Sequence, residues 1–111
     1  MLKQSDFVKI RINAPVENAD EIRAVLGNSG AGAQGKYSHC SYSYRGIGRF
    51  LPMTGAKPAI GEIGKSEEVK EELIEVICHK DLVEEVLIAV KKAHPYEEPA
   101  IDIIPRLDIV D

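Results

Sequence analysis

Apolar and polar residues alternate from Phe7 to Ile12. Val8, Ile10 and Ile12 share one side, and Phe7, Lys9 and Arg11 the other, which predicts a half-buried strand. Asn13-Ala14-Pro15 ends it. Glu17, Asp20 and Glu21 then place negative charge in the first turn of a helix, where the helix dipole favours it. Ala19, Ile22, Val25 and Leu26 form its apolar stripe, and Gly27 and Gly30 are expected to supply left-handed residues at its end. Alternation returns from Tyr37 to Tyr44. A strand there puts Cys40, Tyr42 and Tyr44 on one face and Tyr37, His39, Ser41 and Ser43 on the other. The stretch 45–66 is rich in glycine and proline and reads as a long connection, with a strand-like part around Ile47, Phe50 and Leu51.

The segment 67–78 fits two periods. Val69, Leu73, Val76 and Ile77 suit a helix, whereas the β-branched run ending at Cys78 suits a buried strand. A second helix is expected after Asp81, with Glu84 at capping-box spacing, and Val83, Val86, Leu87 and Val90 as its core stripe. Lys91 and Lys92 suit its carboxyl end, and Pro95 stops it. Residues 100–104 form a last strand, and Pro105 places it at a sheet edge or at a bulge. With 72–78 as a strand, the order is βαββαβ. This is an α+β, ferredoxin-like sandwich: an antiparallel sheet with two helices on one face.

The 111 residues suffice for one domain, 1–111. Fourteen Lys+Arg against eighteen Asp+Glu give a net charge of −4, which argues against a nucleic-acid surface. The longest clean apolar run, Val86 to Val90, is far too short to span a membrane, and the amino terminus lacks a signal-peptide core. A cytoplasmic location is expected. Cys40 and Cys78 are too few for a cysteine metal framework and read as two buried thiols. The charged run from Glu67 to Glu72 reads as a solvated edge.

Two phosphate-binding patterns fail on context. Gly30-Ala31-Gly32-Ala33-Gln34-Gly35 has dinucleotide-fingerprint spacing, but it follows a helix and opens a strand, the reverse of what pyrophosphate binding needs. Ala59-Ile60-Gly61-Glu62-Ile63-Gly64-Lys65-Ser66 approaches a P-loop, yet lacks the first glycine and a clear preceding strand.

Two longer elements carry a resemblance. One runs Gly35-Lys36-Tyr37-Ser38-His39-Cys40-Ser41-Tyr42-Ser43, then Gly46-Ile47-Gly48-Arg49-Phe50-Leu51-Pro52 and Gly55-Ala56-Lys57-Pro58-Ala59-Ile60-Gly61. The other is His94-Pro95-Tyr96-Glu97-Glu98-Pro99-Ala100. Together they closely resemble the domain inserted into many bacterial YqfO proteins, of the NGG-interacting-factor (Nif-three) family. The second element is also similar to one in the CutA divalent-cation-tolerance proteins. The resemblance implies a PII/CutA-like version of the ferredoxin-like fold and makes 72–78 a strand. It also implies oligomers of three-fold symmetry, a trimer being favoured over a dimer. The dinuclear metal centre of full-length YqfO proteins uses motifs outside the insert, so neither it nor an attached hydrolase activity carries over to this chain, expected to stand alone.

The predicted topology places the 45–66 connection and the 94–98 turn at one end of the sheet. A strand of the predicted length spans roughly 25 Å at about 3.3 Å per residue, so His39, at the opposite end, should not share a site with His94. The ligand-binding set expected at the shared end is Arg45, Arg49, Lys57, His94, Tyr96, Glu97 and Glu98. The three basic residues suit an anion. His94, Glu97 and Glu98 offer nitrogen and oxygen ligands to a divalent metal, zinc or copper. Each also has a plain reading: His94 caps the second helix, the prolines bracket a turn, and the glutamates are solvated. Tyr37, His39, Cys40, Tyr42 and Tyr44 are candidate interface residues. Ser41 and Ser43 beside His39 do not make a nucleophile–base–orienter set, and the adjacent Glu97 and Glu98 are not a spaced acid–base pair. The expected function is a non-enzymatic oligomeric module that binds a small ligand or divalent metal in a regulatory or metal-homeostasis role. The alternatives are a weak metal-dependent hydrolase with an inter-subunit site and a purely structural assembly domain.

Overall fold

The computed structural model describes residues 1–110. Strand β1 (Leu2–Pro15) leads through a short 3-10 turn into helix α1 (Ala19–Asn28). Strands β2 (Tyr42–Phe50) and β3 (Glu67–His79) follow. Helix α2 (Val83–Ala93) and strand β4 (Ile101–Ile109) complete the chain. The sheet order is β2-β3-β1-β4, and every neighbouring pair is antiparallel. This is the expected α+β ferredoxin-like fold.

The core follows from strand alternation. Ile10, Ile12 and Ala14 of β1 and Ile74, Val76 and Cys78 of β3 meet Ile22 and Leu26 of α1 and Val86 and Val90 of α2. The intervening residues of the central strands face the other side. Register sets Arg11 and Tyr42 on either side of Glu75, and Asn13 and Tyr44 on either side of Leu73. The 67–78 ambiguity resolves as strand along its whole length, because the segment pairs with β2 over 67–75 and with β1 over 71–79.

The boundaries correct several expectations. Residues 37–41 are irregular rather than strand, so Cys40 does not share a strand face with Tyr42 and Tyr44, which remain together on β2. Strand β2 begins at Tyr42 and consumes residues 45–50, which leaves 51–66 as the long connection. Gly30 is left-handed (φ +107°), as its place after α1 requires, but Gly27 lies inside the helix. Its role is spatial: a Cβ there would stand 2.0 Å from the His39 ring. Asp81 does not cap α2 through its side chain. Its backbone N–H instead donates to His79 Nδ1 at 3.1 Å, which caps the preceding 3-10 turn. Pro105 satisfies both alternatives at once. It sits on the edge strand β4 opposite Val8, where the β1–β4 register shifts between Gln4 and Val8. In that bulge the Ser5 hydroxyl accepts from Phe7 N–H at 2.9 Å. No helix among the described residues is long and apolar enough to cross a membrane.

Candidate functional site

Antiparallel pairing fixes where the chemistry can gather. Strand β2 ends and β3 begins at the end of the sheet where β1 finishes and α2 hands over to β4. The connection 51–66 and the turn 94–100 therefore emerge together. Gly64 N–H donates to Pro52 O at 2.8 Å, which ties the two ends of the connection. Lys57 N–H donates to Glu97 Oε1 at 3.2 Å, which ties the connection to the turn. Between them lies a cavity of about 580 Å³, within the range of small-molecule sites. Its walls include Phe50, Pro52 and Met53 on one side, Tyr96 on the other, and Glu71 of β3.

Glu71 is the least expected member. The charged run from Glu67 to Glu72 is a solvated edge only in part: Glu68 and Lys70 are exposed and 67–70 pair with β2 alone, whereas Glu71 and Glu72 lie between β2 and β1. Glu71 is only 6% exposed. Its Oε2 accepts from the Tyr96 hydroxyl at 2.7 Å. Across the pair, Gly48 leaves the room its carboxylate occupies: a Cβ there would come within 2.3 Å of Oε1. Glu72, one residue on, faces the helices and pairs with Arg23 of α1 at 2.6 Å. Tyr96 is wedged between two rings, edge-on to Phe50 at 6.0 Å and tilted against His94 at 5.1 Å. Burial, then the hydrogen bond to Glu71, then the charges of Glu71 and Glu17 push its phenol above the ordinary tyrosine value.

His94 is buried and fully engaged. Nε2 lies 2.7 Å from the Asn13 carbonyl, and Nδ1 accepts from Tyr96 N–H at 3.1 Å. A carbonyl can only accept and a backbone N–H can only donate, so this ring is neutral and protonated on Nε2. It has no lone pair free for a metal. Its side chain caps no helical carbonyl, but its backbone N–H closes α2 by donating to Val90 O at 2.8 Å. Among the described residues, no three His, Cys, Asp or Glu side chains come close enough together to hold a metal ion. The expected His94–Glu97–Glu98 metal set is therefore not assembled within one chain.

The other expected residues divide. Tyr96, Glu97, Glu98 and Arg49 line the cavity. The Arg49 guanidinium lies 3.8 Å from the exposed Glu68 carboxylate. Lys57 contributes its backbone, and its side chain is exposed. Arg45 stands opposite Glu72 in the β2–β3 register, outside the lining. The lining thus carries Glu71, Glu97 and Glu98 against Arg49 alone, the opposite of the balance an anion needs. Glu71, Gly48 and Phe50 were not among the expected site residues. The available signal was Gly48 in the strand-like part of the connection between Ile47 and Phe50, since a glycine in a strand often marks a close approach.

Of the candidate interface residues, Tyr42 and Tyr44 lie on the helix-free face, with their rings 6.2 Å apart. The Tyr44 hydroxyl is 3.4 Å from Glu75, which also pairs with Lys9 at 3.2 Å. Tyr37 is exposed. His39 is left-handed (φ +58°), and its Nε2 lies 3.0 Å from Asn28 Oδ1 at the carboxyl end of α1. That is the sheet end opposite His94, so the two histidines are separate. Cys40 N–H donates to Gly32 O at 2.9 Å, within the glycine-rich turn that imitates a dinucleotide fingerprint. The P-loop-like segment lies in the connection and leads into a strand, not a helix.

No protein-family model matches the chain. A GTP cyclohydrolase 1 type 2 homolog of Bacillus subtilis is 48% identical over 97 residues, covering 87% of this chain and 26% of that protein. The Mycobacterium tuberculosis protein of the same description is 48% identical over 99 residues, covering 89% and 26%. The chain thus spans about a quarter of the length of the curated relatives it matches. Among solved structures, a Bacillus cereus protein related to NIF3 superposes with a TM-score of 0.79 at 39% identity, over 96% of this chain and 26% of that one. The periplasmic divalent cation tolerance protein CutA of Archaeoglobus fulgidus superposes with a TM-score of 0.64 at 26% identity, over 90% and 83%. Over nearly its whole length, then, the chain resembles the CutA-like quarter of NIF3-related proteins.

Proposed function

We propose that the chain is a non-enzymatic, oligomeric CutA-like module that holds a small ligand between the 51–66 connection and the 94–100 turn, in a regulatory role. The observation that carries this reading is the buried Glu71 carboxylate opening on an apolar-walled cavity. A largely buried carboxylate costs stability unless it is partnered, and the Tyr96 hydroxyl engages one of its two oxygens. The curated relatives carry a cyclohydrolase homolog's description, but a lining of three carboxylates repels a nucleotide triphosphate. A divalent cation would need His94 to break both of its hydrogen bonds, or a neighbouring subunit to supply ligands.

Assembly is argued from the helix-free face of the sheet. Tyr42, Tyr44, Leu73 and Ile77 surround Lys9, Arg11 and Glu75 there, and the Arg11 Nε is buried without a hydrogen-bond partner. A second copy would cover this mixed surface, and three copies would close it into a trimer. Native mass spectrometry of gently purified protein tests both parts. A trimer carrying a small-molecule mass that is released on unfolding is expected. A bare monomer at micromolar concentration would overturn the reading.

A further inference from the structure

We infer that the cavity beside Glu71 recognises a compact organic cation, a protonated amine on an apolar body, with Glu71 as its counter-charge; this rests on the ligand-binding reading above. Three independent features point the same way. First, Glu71 is more than nine-tenths buried and lines the cavity. Tyr96 occupies Oε2, and no donor or cation among the described residues engages Oε1. An ammonium group at Oε1 would add a hydrogen bond and a counter-charge, and such pairs are stronger than neutral ones. Second, Glu97 and Glu98 at the mouth add negative charge, while Arg49 is drawn towards Glu68. Third, Phe50 and Tyr96 present aromatic surface beside the carboxylate, with Pro52 and Met53 completing an apolar wall. Aromatic faces attract cations and accept hydrocarbon equally.

A bare metal ion fits these features poorly. It would leave the apolar wall wet and find too few ligand atoms, whereas an amine uses the carboxylate and the wall together. Gly48 has a defined part. By admitting the Glu71 carboxylate from the neighbouring strand, it lets Tyr96 hold one oxygen and leave the other to the cavity.

Heteronuclear NMR titration of the full chain with phenethylamine, phenethyl alcohol and phenylacetate tests the inference. The three share a ring and differ in charge. Phenethylamine should shift Gly48, Phe50 and Tyr96 and bind at least about tenfold more tightly than the alcohol, with phenylacetate weakest. Glu71→Gln keeps an acceptor for the Tyr96 hydroxyl, and it should abolish the preference for the amine while leaving the alcohol unchanged. Equal binding of all three at these residues would overturn the cation inference and keep the cavity as a ligand site. Tightest binding of phenylacetate would do the same. No shift at these residues with any probe would overturn both. A Glu71→Gln chain that retains the amine preference would overturn the role of Glu71.

Discussion

At the scale of single residues, Tyr96 and Glu71 form one unit although they lie 25 positions apart. Tyr96→Phe removes one hydroxyl and leaves a buried carboxylate oxygen without its donor. The expected loss is about 1–3 kcal/mol in urea denaturation, because the cost is that of an unmet buried acceptor. The same pair sets a pH dependence. The phenol is raised in the folded protein, chiefly by burial and then by Glu71, whereas in the unfolded chain it ionises near pH 10. The stability it contributes is therefore complete below about pH 10 and is lost as the pH rises above that value. Urea midpoints recorded from neutral to strongly alkaline pH should fall more steeply for the native chain than for Tyr96→Phe. Tyr96 was legible in the sequence as part of a compact turn motif. Glu71 was not, because a glutamate in a run of glutamates carries no local mark of burial. Only the β3 register and the missing Cβ of Gly48 distinguish it from its neighbours. His94 was legible as a special residue but not in its role, since its partner, the Asn13 carbonyl, lies on another strand.

At the scale of elements, hydrophobic periodicity located both helices and β1 because each buries one regular stripe, whereas β3 fitted two periods and was assigned through the family resemblance. It failed where tertiary pairing overrides local pattern. Residues 37–41 alternate in polarity yet leave the sheet, since Gly32 and Cys40 close a tight backbone contact and His39 turns left-handed against α1. Residues 45–50, rich in glycine, join β2 because the unbroken β3 strand offers them a ladder of partners. The two cysteines report this boundary. Cys78 sits in the core of β3, and burial raises its thiol pKa. Cys40 lies outside the strands and only part-covered. A disulfide reagent should therefore modify one thiol in the native protein, Cys40, and reach Cys78 only on unfolding. Simultaneous modification of both in the native state would mean that the β3 core is less closed than described.

At the scale of the whole molecule, the outline is long, 53 × 27 × 24 Å. The amino end of β1 and the carboxyl end of β4 pair beyond the helices, from Leu2 against Ile109 to Gln4 against Leu107. Leu2, Leu107 and Ile109 are exposed on that ribbon. It lies at the end of the sheet away from the cavity. The turn 94–100 is anchored to β1 and β3 through His94, Ala100 and Tyr96, whereas the connection 51–66 is tied to that turn by Lys57 and Glu97. A connection anchored so lightly opens at low free-energy cost, and a ligand seated beneath it should hold it closed. Amide hydrogen exchange of the intact protein, with and without phenethylamine, measures this most directly. The account predicts slowed exchange concentrated in residues 51–60 and 96–98, lost in Glu71→Gln, with β4 unchanged. Unaltered exchange in those two segments, or equal protection by phenylacetate, would contradict it.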